Sequence, residues 1–137
     1  MNRATYTWKN IEYLEKPVTP EERAVAAVLK GTLDATLSND IAYLASVTAD
    51  DATIMLFQKE NEFMTKTAYL EKMTKIAPSV RGMKYKNVLI RMTSDWRATV
   101  SCVRYVRFQN SREVLTNRIF ELRKDDAEWK VTRVAYY

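Results

Sequence analysis

Residues 113–137 read EVLTNRIFELRKDDAEWKVTRVAYY. Apolar and polar side chains alternate on both sides of Asp125-Asp126, which is the pattern of two half-buried strands joined by a tight turn. The same period of two runs back through the chain to Lys84, with short polar connections between the runs. Short connections join antiparallel neighbours. The sequence therefore predicts an antiparallel meander of four strands over residues 84–92, 96–109, 113–124 and 127–137.

Upstream of the meander, apolar residues recur at helical spacing. Thr19-Pro20-Glu21-Glu22 indicates a helix start, with Thr19 as N-cap, Pro20 at the first helical position and Glu22 closing a capping box. The first helix is predicted to run to about Leu37. A second short helix follows Ser38-Asn39-Asp40, then a strand over 52–57 and a third helix over 65–77.

The chain has 137 residues, one cysteine and no histidine. This length favours one domain, which we place at residues 19–137 behind an N-terminal arm or short helix at residues 1–18. Cys102 alone cannot form an internal disulfide, and the absence of histidine removes mechanisms that need an imidazole base or ligand. We therefore expect no metal and no cofactor, and we interpret Cys102 as a small apolar core residue.

No stretch approaches the roughly 20 apolar residues of a membrane span, and the first residues lack the apolar centre of a signal peptide. We therefore expect a cytoplasmic protein without membrane contact. The net charge of +5 is regional: residues 1–80 carry 9 basic and 11 acidic side chains, whereas residues 81–137 carry 13 and 6. We nevertheless do not expect nucleic acid as a partner, because strand parity divides the arginines of the basic half between both sheet faces.

Polar or oppositely charged side chains that can pair across neighbouring strands suggest the strand registers. These registers place Gln109 opposite Glu113 and Arg123 opposite Glu128. Under these registers one face is apolar apart from a row in which Arg104 lies opposite Arg118 and Arg118 opposite Arg133. Buried guanidiniums that repel one another need an anion, and their planar forks suit carboxylate or phosphate. The predicted ligand-binding residues are Arg104, Arg118, Arg133, Thr116, Cys102, Trp129, Tyr43 and Tyr69. Two alternatives stay open: helix carboxylates such as Glu71 pair with the arginines, or a bulge turns one arginine outward.

The other sheet face is more apolar than a solvated surface needs to be. Three helices can cover only one face, and an uncovered apolar patch usually marks an association surface. We therefore expect a homodimer. The predicted interface residues are Val103, Tyr105, Leu115, Ile119, Val134 and Tyr136.

Four phrases in this order of elements resemble the nuclear transport factor 2-like superfamily, including its SnoaL-like and steroid isomerase-like branches. They are Asn39-Asp40, Ala49-Asp50-Asp51-Ala52-Thr53, Lys66-Thr67-Ala68-Tyr69-Leu70, and residues 120–131, FELRKDDAEWKV. The resemblance implies an α+β cone, in which a curved mixed, mostly antiparallel sheet wraps around three N-terminal helices. It also implies an internal pocket and dimerisation through the outer sheet face.

The resemblance allows catalytic positions to be compared one at a time. The oxyanion-binding tyrosine of ketosteroid isomerases corresponds to Thr32 and their aspartate base to Leu56, and an aliphatic side chain cannot accept a proton. Scytalone dehydratase-like chemistry needs histidines, and limonene epoxide hydrolase-like chemistry needs inward aspartates that the predicted face lacks. We identify no catalytic residue, which leaves enzymatic activity open but favours a binding protein.

One further branch, the association domain of calcium/calmodulin-dependent kinase II, has pocket arginines that take small carboxylates, and Arg104 and Arg118 occupy comparable strands. The preferred hypothesis is a binding protein for a small anionic or polar organic molecule. The first alternative is a SnoaL-like lyase, isomerase or hydrolase that uses an acid or tyrosine on a helix, such as Asp34, Tyr43 or Tyr69. The second is a protein-interaction or assembly module.

Overall fold

The computed structural model of the chain describes residues 5–56, 62–110 and 112–136. Three helices pack against one face of a curved seven-stranded sheet. In chain order the elements are β1 (Tyr6–Trp8), β2 (Ile11–Tyr13), α1 (Pro20–Ser38), α2 (Ile41–Ser46), β3 (Thr48–Ile54), α3 (Lys66–Ile76), a 3₁₀ turn (Ala77–Ser79), β4 (Val80–Ser94), β5 (Arg97–Phe108), β6 (Glu113–Asp125) and β7 (Glu128–Tyr136).

The strands lie in the order β1-β2-β4-β5-β6-β7-β3. The pairs β2/β4 and β3/β7 are parallel, and the other four pairs are antiparallel. The four longest strands are consecutive and form the predicted meander. The predicted α+β class, with a mixed and mostly antiparallel sheet around three helices, is confirmed.

The start of α1 has the predicted geometry. Thr19 Oγ1 accepts from the Glu22 amide over 3.1 Å, and the Glu22 carboxylate accepts from the Thr19 amide over 3.0 Å. The helix ends at Asn39, which adopts the left-handed conformation with φ 59°. Asp40 then caps α2 by accepting from the Tyr43 amide. This αL residue followed by a new N-cap sets the angle between α1 and α2.

The described part of the N-terminal arm forms two short strands rather than a helix. Lys9, with φ 54°, lies in the turn between β1 and β2. Ile11 and Tyr13 of β2 are buried and alternate with the exposed Glu12. Trp8, Ile11 and Leu14 are three residues apart, which is a spacing that also occurs in a helix. The pairing of β2 with β4 overrides this local signal.

Both predicted registers are shifted. Glu113 lies opposite Arg107, not Gln109, because the β5–β6 connection closes on a bond from the Phe108 amide to the Arg112 carbonyl. Glu128 lies opposite Asp125, not Arg123, because Asp126 and Ala127 make a two-residue turn with φ 48° and 68°. Such turns with two positive φ values match the twist of antiparallel strands.

A one-residue bulge in β7 changes which face its last residues occupy. Glu121 pairs with Arg133 while the next residue, Leu122, pairs with Val131, so Thr132 is the extra residue. Its hydroxyl donates to the Glu121 carbonyl over 3.1 Å. Because the side-chain period of a strand is two, one inserted residue exchanges the two faces beyond it.

Three predicted face assignments are therefore wrong. Arg133 points outward, whereas Val134 and Tyr136 point inward, opposite Phe120 and Arg118. Of the predicted interface set, the residues that remain on the outer face are Val103, Tyr105, Leu115 and Ile119.

Candidate functional site

A cavity lies between the inner sheet face and helices α1 and α3. Its volume open to water-sized molecules is about 40 Å³. One buried water needs about 10–15 Å³ of such space, so the cavity holds roughly three waters or an anion of similar size. The lining residues are Thr32, Thr36, Thr48, Ile54, Leu56, Tyr69, Met73, Tyr85, Arg104, Arg118, Phe120, Val131 and Val134.

Arg118 of β6 is the most deeply buried cation of the cavity, with 3% of its surface exposed. Its Nη2 donates to the Leu56 carbonyl over 2.5 Å and to the Tyr136 hydroxyl over 3.1 Å. The guanidinium carbon lies 5.1 Å from the centre of the Tyr136 ring. These contacts fix the guanidinium plane, but the partners are a carbonyl, a hydroxyl and an aromatic ring, none of which carries a full negative charge.

Arg104 of β5 lies on the same face, diagonally across from Arg118. The register places Arg104 opposite Thr116 and Arg118 opposite Cys102, so the two arginines are not directly opposed as predicted. Arg104 Nη2 donates to the Leu56 carbonyl over 3.4 Å. Burial, together with the charge of Arg118, lowers the pKa of Arg104 to about 9, so the side chain still carries its charge at neutral pH.

No carboxylate lines the cavity among the described residues. Glu71, the helix acid considered as a partner for the arginines, is exposed on α3. Buried polar atoms without a hydrogen-bond partner among the described residues include Nε of Arg104, Nε of Arg118 and Oγ1 of Thr116. Buried donors without partners are rare in folded proteins. The inner face therefore presents two cations and unused donors without a described acid to balance them.

Two tyrosines supply further hydroxyls. Burial raises the pKa of Tyr69 on α3 to about 12, and burial likewise raises the pKa of Tyr85 on β4. The Tyr85 hydroxyl is hydrogen-bonded to Thr32. Both phenols are protonated at neutral pH. The Thr32 hydroxyl donates its own proton to the Leu29 carbonyl, so the Tyr85 proton is directed at Thr32, and Tyr69 is the phenol that can donate to a group held between the arginines.

Arg133 lies outside this arrangement. Its side chain is 49% exposed, its Nη1 is 3.5 Å from a Glu121 carboxylate oxygen, and its guanidinium carbon lies 4.8 Å from the centre of the Phe63 ring. The alternative in which a bulge turns one arginine outward is the one that the structure shows. The predicted row of three arginines is therefore a pair, Arg104 and Arg118.

Of the other predicted ligand-binding residues, some lie beside the arginines and others lie away from the cavity. Cys102 is 1% exposed beside the arginines, and burial raises the pKa of its thiol to about 12, so the side chain is an uncharged thiol. Trp129 is buried but does not line the cavity, because its Nε1 donates to Glu21 at the start of α1 over 3.0 Å. Tyr43 does not line it either, since α2 places its ring against Gly31 on the flank of α1.

Sequence reasoning missed Tyr85 and Tyr136 as neighbours of the arginines. Tyr85 precedes a bulge at Asn87, where φ is 54° and the pairing of β4 with β5 shifts. The positive φ of Asn87 is the kind of irregularity that asparagine tolerates and that a pattern of period two cannot show. Tyr136 was placed on the outer face because the bulge at Thr132 was not foreseen.

No protein-family model and no curated protein matches the chain. Solved structures do match it. A nuclear transport factor 2-like protein from Cytophaga hutchinsonii superposes with a TM-score of 0.73 at 17% identity, over 87% of this chain and 100% of that one. A candidate calcium/calmodulin-dependent protein kinase II association domain from Xanthomonas campestris gives 0.70 at 18% identity, over 86% and 87%. A candidate ketosteroid isomerase from Shewanella frigidimarina gives 0.67 at 18% identity, over 83% and 94%.

The chain has the nuclear transport factor 2-like fold. Within this fold, Thr32 and Leu56 are the positions that the resemblance compares with the tyrosine and aspartate of ketosteroid isomerases. Both residues line the cavity. At these two positions of the cavity wall this chain has a hydroxyl and an aliphatic side chain.

Two further observations concern the described part of this chain with the nuclear transport factor 2-like fold. Within the described ranges, no group of three or more cysteine, aspartate or glutamate side chains is placed to hold a metal ion. None of the described helices has an apolar stretch long enough to cross a bilayer.

Proposed function

We propose that this protein binds a small organic anion between Arg104 and Arg118. The observation that carries the proposal is a pair of guanidiniums, of a buried Arg118 and a half-buried Arg104 whose Nε is buried, in a cavity that no described carboxylate lines. Taking a cation out of water costs several kcal/mol unless a charge of opposite sign compensates it. An anion in the cavity supplies that compensation and occupies the unused donors.

The arrangement of donors favours a planar oxyanion. Arg104 and Arg118 share the Leu56 carbonyl through their Nη2 atoms, which brings the two guanidiniums around one point. Their Nε atoms have no partner among the described residues. Charge-assisted bonds from guanidinium to carboxylate are among the strongest hydrogen bonds in proteins, so a carboxylate is the preferred ligand group.

Thermal unfolding in the presence of formate or acetate tests the proposal, with chloride at equal ionic strength as the reference. A ligand that binds only the folded state at a hundredfold excess over its Kd raises the melting temperature by roughly 10 °C for a domain of this size. Arg118→Met should remove the rise. Arg133→Met should keep it, because Arg133 is also an arginine of the sheet but points to the outer face. An equal response in both variants would contradict the proposal.

A second candidate function rests on Tyr69. Of the three helix residues considered for a SnoaL-like reaction, Tyr69 lines the cavity, whereas Asp34 forms an ion pair with Lys30 and Tyr43 lies outside. A buried, protonated phenol beside two guanidiniums could donate to a developing oxyanion. Turnover that is lost in Tyr69→Phe while the anion-dependent stabilisation persists would favour an enzyme over a simple binder.

A homodimer through the outer sheet face remains part of the proposal. Leu115 is 52% exposed there, and Tyr105 lies opposite it across the β5/β6 pair. An exposed aliphatic side chain beside an aromatic one, on a face that no described helix covers, suits contact with a second copy.

A further inference from the structure

A second cavity adjoins the arginine cavity on the side of the 3₁₀ turn. Its volume open to water-sized molecules is about 20 Å³. The two cavities share Thr36, Leu56, Met73 and Arg104. The remaining lining residues are Ile76, Val80, Met83, Val106 and Phe108. We refer to it as the tail cavity.

The tail cavity differs chemically from the arginine cavity. Apart from Thr36 and Arg104, the side chains that line it are aliphatic, thioether or aromatic. Arg104 stands at the junction, because it contributes to both sets of walls. A charged group can therefore be held on one side of Arg104 while an apolar group extends into the other side.

We propose that the ligand is a monocarboxylate with a short hydrocarbon tail, with its carboxylate at Arg104 and Arg118 and its tail in the tail cavity. This inference rests on the proposed function and narrows it to a ligand class. A second carboxylate or a hydroxylated tail is disfavoured, since a polar group moved into apolar surroundings without a partner loses its hydration.

The size of the tail cavity limits the tail. About 20 Å³ of accessible space admits one to two water-sized groups, which corresponds to roughly two methylene or methyl groups beyond acetate. Met73 and Met83 line it, and unbranched thioether side chains fill irregular gaps and move readily. Affinity should therefore rise with tail length over the first added carbons and then level off.

A third, smaller cavity at the other end of the cone provides the control. It is lined by Val25, Val28, Leu29, Thr32, Val100, Phe120, Leu122 and Val131, and it lacks an arginine. Val100 and Val106 both lie on the inner face of β5 and both are buried, but of the two Val106 lines the tail cavity. Val106→Thr and Val100→Thr are thus matched isosteric changes in two different cavities.

The test is calorimetric titration of the full chain with formate, acetate, propionate, butyrate and hexanoate, together with succinate and n-butanol. Burying one methylene is worth about a fourfold change in Kd, so butyrate should bind about tenfold to twentyfold more tightly than acetate. Hexanoate should gain little over butyrate. Succinate should bind more weakly than butyrate, and n-butanol should not bind detectably.

Variants separate the tail from the carboxylate. Val106→Thr should reduce the ratio of butyrate to acetate affinity severalfold, whereas Val100→Thr should leave that ratio unchanged. Equal affinity for acetate and butyrate in the wild type, or tighter binding of succinate than butyrate, would overturn the tail assignment and leave the proposed function standing. If none of the acids binds in a manner that depends on Arg118, the proposed function fails as well. The series in the wild type decides the matter even if a threonine variant does not fold.

Discussion

Arg104 and Arg118, on neighbouring strands, both donate through Nη2 to the carbonyl oxygen of Leu56, at 3.4 Å and 2.5 Å. One neutral carbonyl cannot balance two cations. The charge of each guanidinium raises the free energy of the charged form of the other. The charge of Arg118 therefore contributes, after burial, to the lowered pKa of Arg104. This shared acceptor marks the place where an anion would be most strongly stabilised.

Arg118→Met should abolish stabilisation by formate or acetate without unfolding the protein. Replacing one of two repelling buried cations by an apolar side chain of similar length is expected to change the free energy of unfolding by no more than about 1 kcal/mol in the absence of anions. Chemical denaturation with and without 50 mM acetate measures both quantities. A variant that retains the acetate effect would show that the anion acts elsewhere.

The fold and the arginine pair can be predicted from the sequence, because both follow from regular spacings of residues along helices and strands. The capping box at Thr19 and Glu22 depends on local spacing alone, and it forms as predicted. Arg104 and Arg118 have even residue numbers, like the apolar residues of the inner face on the same strands. A shift of the strand register by two residues therefore leaves both arginines on the inner face.

The rest of the site depends on single inserted residues, which sequence periodicity does not locate. Residues of both parities are apolar in β7, so Val131 and Val134 are equally compatible with the core until the bulge at Thr132 is known. That ambiguity placed Arg133 inside and Tyr136 outside. The irregularity at Asn87 likewise reverses the alternation in β4, since Met83 and Tyr85 are buried before it and Val88 and Ile90 are buried after it.

Cys102 should resist thiol reagents in the native state. Burial raises the pKa of its thiol to about 12, so at pH 8 the reactive thiolate is a minute fraction. Modification by a coloured disulfide reagent should be slow in buffer and rapid in denaturant. Rapid native labelling at pH 8 would mean that the inner face opens readily.

The raised pKa of Cys102 also sets the direction in which the free energy of unfolding changes with pH. The folded-state pKa of Cys102 lies above that of an unfolded cysteine, so the unfolded state loses its proton first as pH rises from about 9 toward 12. The contribution of Cys102 to stability is complete below pH 9 and is lost across that window. Cys102→Ala should show a shallower decline over the same range.

The outer face should mediate self-association. Leu115→Glu places a charge on the exposed part of this face and should convert a dimer into a monomer in sedimentation velocity at micromolar concentration. Val134→Ala is the contrasting change: because Val134 faces inward, it should lower stability by about 1–2 kcal/mol and leave the sedimentation coefficient unchanged. A wild-type monomer at 100 µM would contradict the proposed dimer.

Gly31 and Tyr43 should be energetically coupled. A Cβ at Gly31 would lie 1.9 Å from the Tyr43 hydroxyl oxygen, so Gly31→Ala must displace the ring. Alanine is favoured over glycine inside a helix by about 1 kcal/mol. Gly31→Ala should therefore stabilise a Tyr43→Ala background by about that amount and give less than this, or a loss, with Tyr43 present. A double-mutant cycle in urea measures the coupling, and additive effects would contradict the contact.

Leu56→Asp should provide the cavity with its own counterion. Leu56 lines the cavity and its carbonyl already meets both arginines, so an aspartate at this position lies within reach of the two guanidiniums. We expect the variant to lose its response to acetate, because the internal carboxylate occupies the site.

The arginines should also hold the pKa of the new aspartate below its unfolded value of about 3.9. Its stabilising effect is then present above that pKa and is lost as the pH falls toward the folded-state pKa. Leu56→Asn is the matched control, since it has the same shape without the charge and should retain the acetate response at reduced stability. Acetate stabilisation of equal size in Leu56→Asp and wild type would place the anion away from Arg104 and Arg118.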